Sequence, residues 1–271
     1  MKAELATLPA KPGQDNEDFA GVTPVAAVLL DGAGLSGTET QCKHGVAWYS
    51  TTLGGAILSL VSDEASPLTD VLASAITLTA DAHRHTCNLD DPGTPSATVV
   101  ITRVVKDDLQ YLVLADSVLV IGRPGSEPLV ICDDREAAIG ARYRQEMDGL
   151  TNGTPEHDDA RRRYVETLRS HRNRPGGFWV AAADPGAANE ALTGTVPLGD
   201  ISTVALLSDG ASRLVDRFGL ATWSQLLATL SSQGPAELVS QVRRAEKSDE
   251  TGDRWPRGKT YDDATAIHLT I

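Results

Sequence analysis

Two short apolar runs that each lead into an Asp-Gly pair constrain the fold of this chain more than any other feature of its sequence. The run TPVAAVLL (residues 23–30) precedes the pair at 31–32, and the run STVALLS (residues 202–208) precedes the pair at 209–210. A short, continuous apolar run that ends at turn residues is typical of a buried strand. We therefore expect two buried strands, each of which ends in a tight turn.

The first half of the chain predicts helices followed by antiparallel strands. Apolar residues at helical spacing predict a helix over residues 46–60, and Ser66-Pro67 is a typical start for a second helix that ends near His85. Pairs of β-rich segments around short polar turns predict two hairpins, at residues 96–105 with 109–116 and at residues 117–121 with 128–132.

The second half of the chain returns to helices and closes with a strand. The segment GGFWVAAA at residues 176–183 predicts a strand. Strict alternation of strands and helices is absent, so we expect sheet layers that are covered by separate helix layers. The remaining predicted elements are helices at 211–219, 222–230 and 235–247 and a final strand at 264–271.

Residues 133–175 differ from the rest of the chain because they are rich in charged residues and helix formers. The bulk of their side chains are too polar to form a buried face. We expect this segment to be a solvated helical excursion from the domain.

The net charge of the chain is −13 over 271 residues, of which 41% are hydrophobic. Such a negative surface disfavours binding to nucleic acids and to anionic membranes. The N-terminus lacks the apolar region of a signal peptide, and no apolar run is long enough for a membrane span. We therefore expect a cytoplasmic protein with a sizeable core.

The three cysteines are far apart in the sequence and form no CxxC pair. This spacing disfavours a disulfide framework and a structural zinc site, so we expect Cys42, Cys87 and Cys132 to be small buried thiols. His83 and His85 are two residues apart and cannot share a helix face, so we expect these histidines and His44 to be surface or structural residues. His44 is also a minor candidate for a general acid, because it follows Asp31 by a short stretch.

Aspartates recur where predicted strands begin or end. Asp31, Asp116 and Asp209 follow predicted strands, Asp262 comes shortly before the last strand, and Asp18 precedes the first. Hard cations such as Mg²⁺ or Mn²⁺ prefer oxygen ligands, and a shared carboxylate is needed to bridge two such ions. A single Asp-Gly pair is usually only a turn, but the repeated pattern favours a metal site.

Six short motifs in order along nearly the whole chain resemble the type 2C protein phosphatases, the metal-dependent PPM family. The motifs are QDNEDF, LLDGAG, PSATVVI, LADS, LLSDGAS and YDDATAIHL. The resemblance implies one α+β domain over residues 1–271, built as a four-layer α-β-β-α sandwich in which two antiparallel sheets are flanked by helix pairs. It also implies hydrolysis of phosphoserine and phosphothreonine in proteins by a metal-activated water.

The resemblance further implies a set of metal-binding residues for two tightly bound Mn²⁺ or Mg²⁺ ions and a third, looser ion. Asp31 would bridge the tight pair, the Gly32 carbonyl would bind one ion, and Asp209 and Asp262 would complete the shell of the other. Asp116 would help Asp209 to hold the third ion. Glu17 and Asp18 match carboxylates that bind metal or orient its water ligands.

One departure from the family pattern concerns the substrate phosphate. Family members carry an arginine three residues before the asparagine of the NED motif, where this chain has Gly13. Lys11 is the nearest cation and is the candidate phosphate-binding residue. Arg213, one helical turn after Asp209, either leans toward the site or, as is more common for such a residue, faces solvent. The alternative function is a non-catalytic or weakly active phosphatase-fold module that binds a phosphoprotein.

For an active phosphatase, the expected partners are phosphorylated proteins in a signalling pathway with an opposing serine/threonine kinase. In related enzymes the segment between LADS and LLSDGAS carries a flap, so residues 133–175 are expected to select substrates.

Overall fold

The fold is built on two antiparallel sheets of five strands each within the described residues, which are 1–34 and 42–271 of this computed structural model. In chain order the strands are β1 (Lys2–Leu8), β2 (Phe19–Val22), β3 (Ala26–Ala33), β4 (Ser96–Val105), β5 (Asp108–Leu114), β6 (Val118–Arg123), β7 (Ser126–Ile131), β8 (Leu192–Pro197), β9 (Thr203–Leu207) and β10 (Ala264–Thr270). One sheet has the order β1-β10-β9-β6-β7 and the other the order β2-β3-β4-β5-β8.

The helices lie on the outer faces of the two sheets and in the connections. They are α1 (Val46–Leu60), α2 (Leu68–His83), α3 (Arg135–Gly140), α4 (Gln145–Asp148), α5 (Pro155–Arg169), α6 (Asp209–Asp216), α7 (Trp223–Gln233) and α8 (Pro235–Ser248). None of the described helices is long and apolar enough to cross a membrane.

The side chains of β3 show why its sequence is apolar from Ala26 to Leu30. Ala27 and Leu29 pack in the core between the two sheets, whereas Val28 and Leu30 face α1 and α2. Successive strand residues point to opposite faces, so a strand covered on both faces needs apolar residues at every position. On the second sheet, Leu207 of β9 packs against α6, α7 and α8 in the same way. The four-layer sandwich predicted from the sequence is confirmed.

Both predicted hairpins form, as β4 with β5 and β6 with β7. The predicted strand at residues 176–183 is wrong, because that segment makes only the isolated bridges Arg172–Phe178 and Ala97–Ala181. The fifth strand of the sheet β2-β3-β4-β5-β8 is instead β8. The residues of β8 are exposed or half-buried, so this strand has only a weak apolar pattern in the sequence. The N-terminal strands β1 and β2 were also not predicted, and β1 is an edge strand with little burial.

Residues 133–175 contain α3, α4 and α5, in agreement with the expected helical content. The segment also carries apolar contacts of its own. Ile139 of α3 and Leu168 of α5 are buried in a small cluster with Ala115, Phe178 and Val180. This cluster attaches the helices next to the end of β5.

Candidate functional site

The five aspartates singled out by the strand-end pattern come together in one site. Asp31 lies near the end of β3, and Asp209 begins α6 two residues after β9, where its N–H donates to Oδ2 of Asp31 at 3.2 Å. Burial raises the pKa of Asp31 well above its usual value, and the charges of Asp18, Asp209, Asp262 and Asp116 raise it further. The carboxylates of the cluster therefore repel one another.

Asp18 is a buried carboxylate of this cluster. Its side chain is buried, and neither carboxylate oxygen has a hydrogen-bond partner among the described residues. Burial, together with the nearby charges of Asp263 and Asp262, raises the pKa of Asp18 to about 7, although the neighbouring Thr265 and Ser208 hydroxyls oppose this rise. An unpartnered buried carboxylate is costly unless a cation neutralises it.

Gly32 allows the chain segments of the site to approach one another. A Cβ at this position would overlap the backbone oxygen of Glu17, the Ser50 hydroxyl and the Val46 side chain. Only glycine therefore lets the end of β3 lie against both the segment that carries Glu17 and the start of α1.

Asp263 ties the N-terminal segment to the site. Its Oδ1 accepts a hydrogen bond from the Ala10 N–H at 2.6 Å, and its Oδ2 accepts one from the Glu17 N–H at 2.8 Å. An asparagine, which is common at this position in the family that the motifs resemble, has only one side-chain oxygen and could accept only one of these two bonds. The aspartate therefore anchors residues 10–17 more completely.

Asp262 differs from the other aspartates because two basic side chains contact it. Lys259 Nζ lies 2.6 Å from one of its carboxylate oxygens, and an Arg213 guanidinium nitrogen lies 2.5 Å from the other. Burial alone would raise the pKa of Asp262, but the charges of Lys259 and Arg213 outweigh it and hold this pKa below its usual value. Arg213 also pairs with Glu246 at 2.8 Å. The expectation that Arg213 faces solvent was wrong, because the arginine is buried between these two carboxylates.

A model of the protein phosphatase 2C family matches residues 10–243, which is most of the chain and spans the converging aspartates up to Asp209. The chain belongs to this family. The expectation of a protein phosphatase is thereby confirmed at the level of the family, whose members act on phosphorylated proteins.

Solved structures of bacterial protein phosphatases share the fold. The serine/threonine phosphatase PstP/Ppp of Mycobacterium tuberculosis is 16% identical with a TM-score of 0.60, and the alignment covers 100% of this chain and 98% of the other. Stp1 of Staphylococcus aureus is 15% identical with a TM-score of 0.60 and coverages of 100% and 94%. The catalytic domain of PstP in complex with two manganese ions is 17% identical with a TM-score of 0.59 and coverages of 98% and 96%. No curated protein sequence matches the chain.

Glu136 is a site residue of this protein phosphatase 2C member that the sequence analysis missed. Burial raises the pKa of Asp116, and the neighbouring charges of Glu136 and Asp209 raise it further. Glu136 belongs to the first turn of α3, within the charged segment 133–175. Its sequence context, in which acidic residues are common, offers no signal that separates it from a surface glutamate.

Ala115, immediately before Asp116 in the LADS motif, has an unusual backbone conformation. Its φ angle of 68° lies in the left-handed region, where glycine is unstrained and alanine is not. The glycine that the family usually has at this position suits that conformation. The methyl group of Ala115 instead packs in the cluster that holds α3 and α5.

Two basic side chains other than Lys11 bring positive charge to the site. Lys259 and Arg161 both act on Glu17 and on Asp262, where they oppose the rise in pKa that burial causes. Lys11 is exposed, and its backbone oxygen closes a turn by accepting the Gln14 N–H at 3.2 Å. The sequence analysis did not consider Lys259, which precedes Asp262 by only three residues.

The donor set fits hard divalent cations. The converging side chains are carboxylates, several of which repel one another, and Asp18 has no other described partner. Oxygen ligands of this kind suit Mg²⁺ and Mn²⁺. Metal dependence is a property of the family, and the PstP structure contains two manganese ions.

Proposed function

We propose that this chain hydrolyses phosphoserine and phosphothreonine in proteins with the help of divalent cations. The observation that carries the proposal is the buried, unpartnered carboxylate of Asp18 within a cluster whose charges raise the pKa of Asp31. A site that served only as a fold element would have no reason to concentrate uncompensated negative charge in its interior.

The residues proposed to hold two tightly bound Mn²⁺ or Mg²⁺ ions are those that converge in the structure. Asp31, whose pKa is raised by the charges of Asp18, Asp116, Asp209 and Asp262, is the proposed bridging ligand. The Gly32 carbonyl, Asp209 and Asp262 are the proposed additional ligands. Asp116 and Asp209, now joined by Glu136, are proposed to hold a third, looser ion. When bound, the ions neutralise the anionic phosphoester and lower the pKa of a bound water.

The other side chains position these groups. Asp263 holds the backbone of Glu17, so that Glu17 and Asp18 reach the site to bind metal or orient its water ligands. Arg213 orients Asp262 from the buried side, since it is itself held by Glu246. A carboxylate that is already oriented by a hydrogen-bonded neighbour loses less conformational freedom on binding a ligand than a free carboxylate does.

Phosphate binding is proposed to depend on Lys259 and Arg161, with Lys11 as the alternative drawn from the sequence. Lys259 carries its ammonium group among the carboxylates, where the charges of Asp262, Asp209 and Asp31 raise its pKa and keep it protonated. An ammonium group offers only a point charge, whereas the arginine that Gly13 replaces would offer a two-pronged contact. We therefore expect weak binding of small phosphate esters.

Residues 133–175 are proposed to select protein substrates. They follow Asp116 closely in the chain and place Glu136 beside it, so they adjoin the site. We further propose a cytoplasmic signalling role opposite a serine/threonine kinase, without nucleic-acid or membrane partners. The net charge of −13 disfavours binding to nucleic acids and to anionic membranes.

The test is hydrolysis of a phosphothreonine peptide by the purified full chain with Mn²⁺, with Mg²⁺ and with a chelator. We expect phosphate release that depends on the metal and that is abolished by Asp31→Asn. The control variant Asp15→Asn changes an exposed aspartate in a neighbouring segment and should keep the activity. Full activity in chelator would refute metal dependence. Absence of hydrolysis with retained phosphopeptide binding would instead support the alternative, a non-catalytic phosphoprotein-binding module.

A further inference from the structure

Two cysteines and two histidines meet in a cluster that is separate from the carboxylate site. The potential ligand atoms of Cys42, His44, His83 and Cys87 all lie within 4.8 Å of one another. The sequence analysis treated these residues as small buried thiols and structural histidines, because Cys42 and Cys87 are far apart in the chain. Cys42 and Cys87 are buried as expected, and the tertiary structure shows in addition that they lie beside the two histidines. The third cysteine, Cys132, was expected to be buried, and this expectation was wrong, because its side chain is exposed.

Three distances within this cluster are close to those between the ligands of a tetrahedral zinc ion. Cys42 Sγ lies 3.7 Å from His83 Nδ1 and 4.0 Å from His44 Nδ1, and Cys87 Sγ lies 3.4 Å from His44 Nδ1. Zn–S bonds of about 2.3 Å and Zn–N bonds of about 2.0 Å in a tetrahedron separate neighbouring ligand atoms by about 3.3–3.8 Å. Only small shifts would centre an ion among all four.

The backbone presents the four ligands from two places. Cys42 and His44 lie just before α1, while His83 is the last residue of α2. Cys87 follows one turn later, and its N–H donates to the His83 carbonyl at 3.0 Å, which directs the chain back toward His83. A shared ion would therefore fasten the entrance of α1 to the exit of α2.

The surroundings are suited to a thiolate site. The Lys43 N–H donates to Cys87 Sγ at 3.4 Å, and the Thr86 hydroxyl lies 3.7 Å from the same sulfur. The Trp48 ring stacks on His44 with a centroid separation of 4.2 Å. Hydrogen bonds to ligand sulfur and an apolar cover are the outer interactions that tune structural metal sites. Three ligands are buried and His44 is exposed, so an ion can enter from the His44 side.

We propose that Cys42, His44, His83 and Cys87 bind a structural Zn²⁺ ion. Two thiolates and two imidazoles are a soft donor set that favours zinc over the Mg²⁺ or Mn²⁺ of the carboxylate site. Four protein ligands leave no open position for a substrate, so the ion is structural. Its effect reaches the active site through α1, because the first residue of that helix, Val46, packs against Gly32.

The test measures bound zinc and the spectrum of the cobalt-substituted full chain. All variants are made in a protein that already carries Asp31→Asn and Asp209→Asn. Metal bound at the carboxylate site then does not contribute to the zinc content or to the cobalt spectrum. We expect one zinc ion per chain, and a Co²⁺ spectrum with thiolate charge-transfer bands and the intense visible bands of tetrahedral coordination. Cys87→Ser should lose both, whereas the matched control Cys132→Ser, which changes an exposed cysteine elsewhere, should keep both.

A second variant covers the case in which Cys87→Ser does not fold. His44→Gln changes the exposed ligand, so it should fold and release zinc to a chelator faster than the background protein does. An unchanged release rate, equal zinc content in Cys87→Ser and Cys132→Ser, or a cobalt spectrum without thiolate bands would overturn the proposal. A Cys42–Cys87 disulfide, found by mass spectrometry of protein purified without reductant, would also overturn it.

Discussion

The burial of Asp18 predicts an unusual dependence of stability on pH when the protein has been dialysed free of Mg²⁺ and Mn²⁺. Its two carboxylate oxygens have no hydrogen-bond partner among the described residues, and burial raises its pKa to about 7. A carboxylic acid whose pKa is higher in the folded state keeps its proton up to a higher pH in that state than in the unfolded chain. The folded state is therefore favoured at low pH, and stability falls as the pH rises from about 4 to about 7.

The size of the effect follows from the shift in pKa. A rise from 3.8 in the unfolded chain to about 7 in the folded protein corresponds to about 4 kcal/mol. That is a large fraction of the net stability of a typical domain, about 5–15 kcal/mol. The amide that replaces the carboxyl group in an Asp18→Asn variant cannot ionise, so this part of the pH dependence should disappear.

The assay is urea denaturation of the dialysed wild type and of Asp18→Asn across this pH range. The wild type should lose several kcal/mol of unfolding free energy as the pH rises, while Asp18→Asn should show a clearly flatter profile. Asp15→Asn, which changes an exposed aspartate in the same segment, should follow the wild type. Parallel profiles for the wild type and Asp18→Asn would refute the reasoning, as would a wild type that gains stability with rising pH.

Further predictions concern metal, packing and phosphate binding. Mn²⁺ at about 100 times its dissociation constant should add about 2.7 kcal/mol to the unfolding free energy, and no thermal shift would contradict the metal site. Asp263→Asn should cost about 1–3 kcal/mol in urea denaturation, because either the Ala10 or the Glu17 N–H loses its acceptor. Arg213→Ala should cost about 1.5–3 kcal/mol, because Asp262 and Glu246 each lose one of two basic partners and keep only Lys259 and Arg243, whereas Arg244→Ala on the surface should cost under about 1 kcal/mol. Lys259→Gln should raise KM for a small aryl phosphate with little change in kcat, and a larger KM effect from Lys11→Gln would favour the sequence-based assignment.

The sequence by itself determined the layered fold and the acidic character of the site. The apolar run of β3 predicts a strand covered on both faces, and the structure places Val28 and Leu29 in different cores. Local spacing also predicted α1, α2 and both central hairpins, because periodicity within a helix or hairpin depends on neighbours in the sequence. Edge strands such as β1 and β8 escaped prediction because exposed edges do not need a strong apolar pattern.

Only the tertiary structure decided which side chains surround the aspartates. It also decided which residues form the second cluster, away from the carboxylate site. Glu136 and the buried Arg213 resemble ordinary surface residues in the sequence, and their contacts join chain segments that lie far apart. The same holds for Cys42 and Cys87, which are brought together by the packing of α1 against α2. Burial and charge compensation are properties of a three-dimensional environment, so residue type and spacing alone cannot predict them.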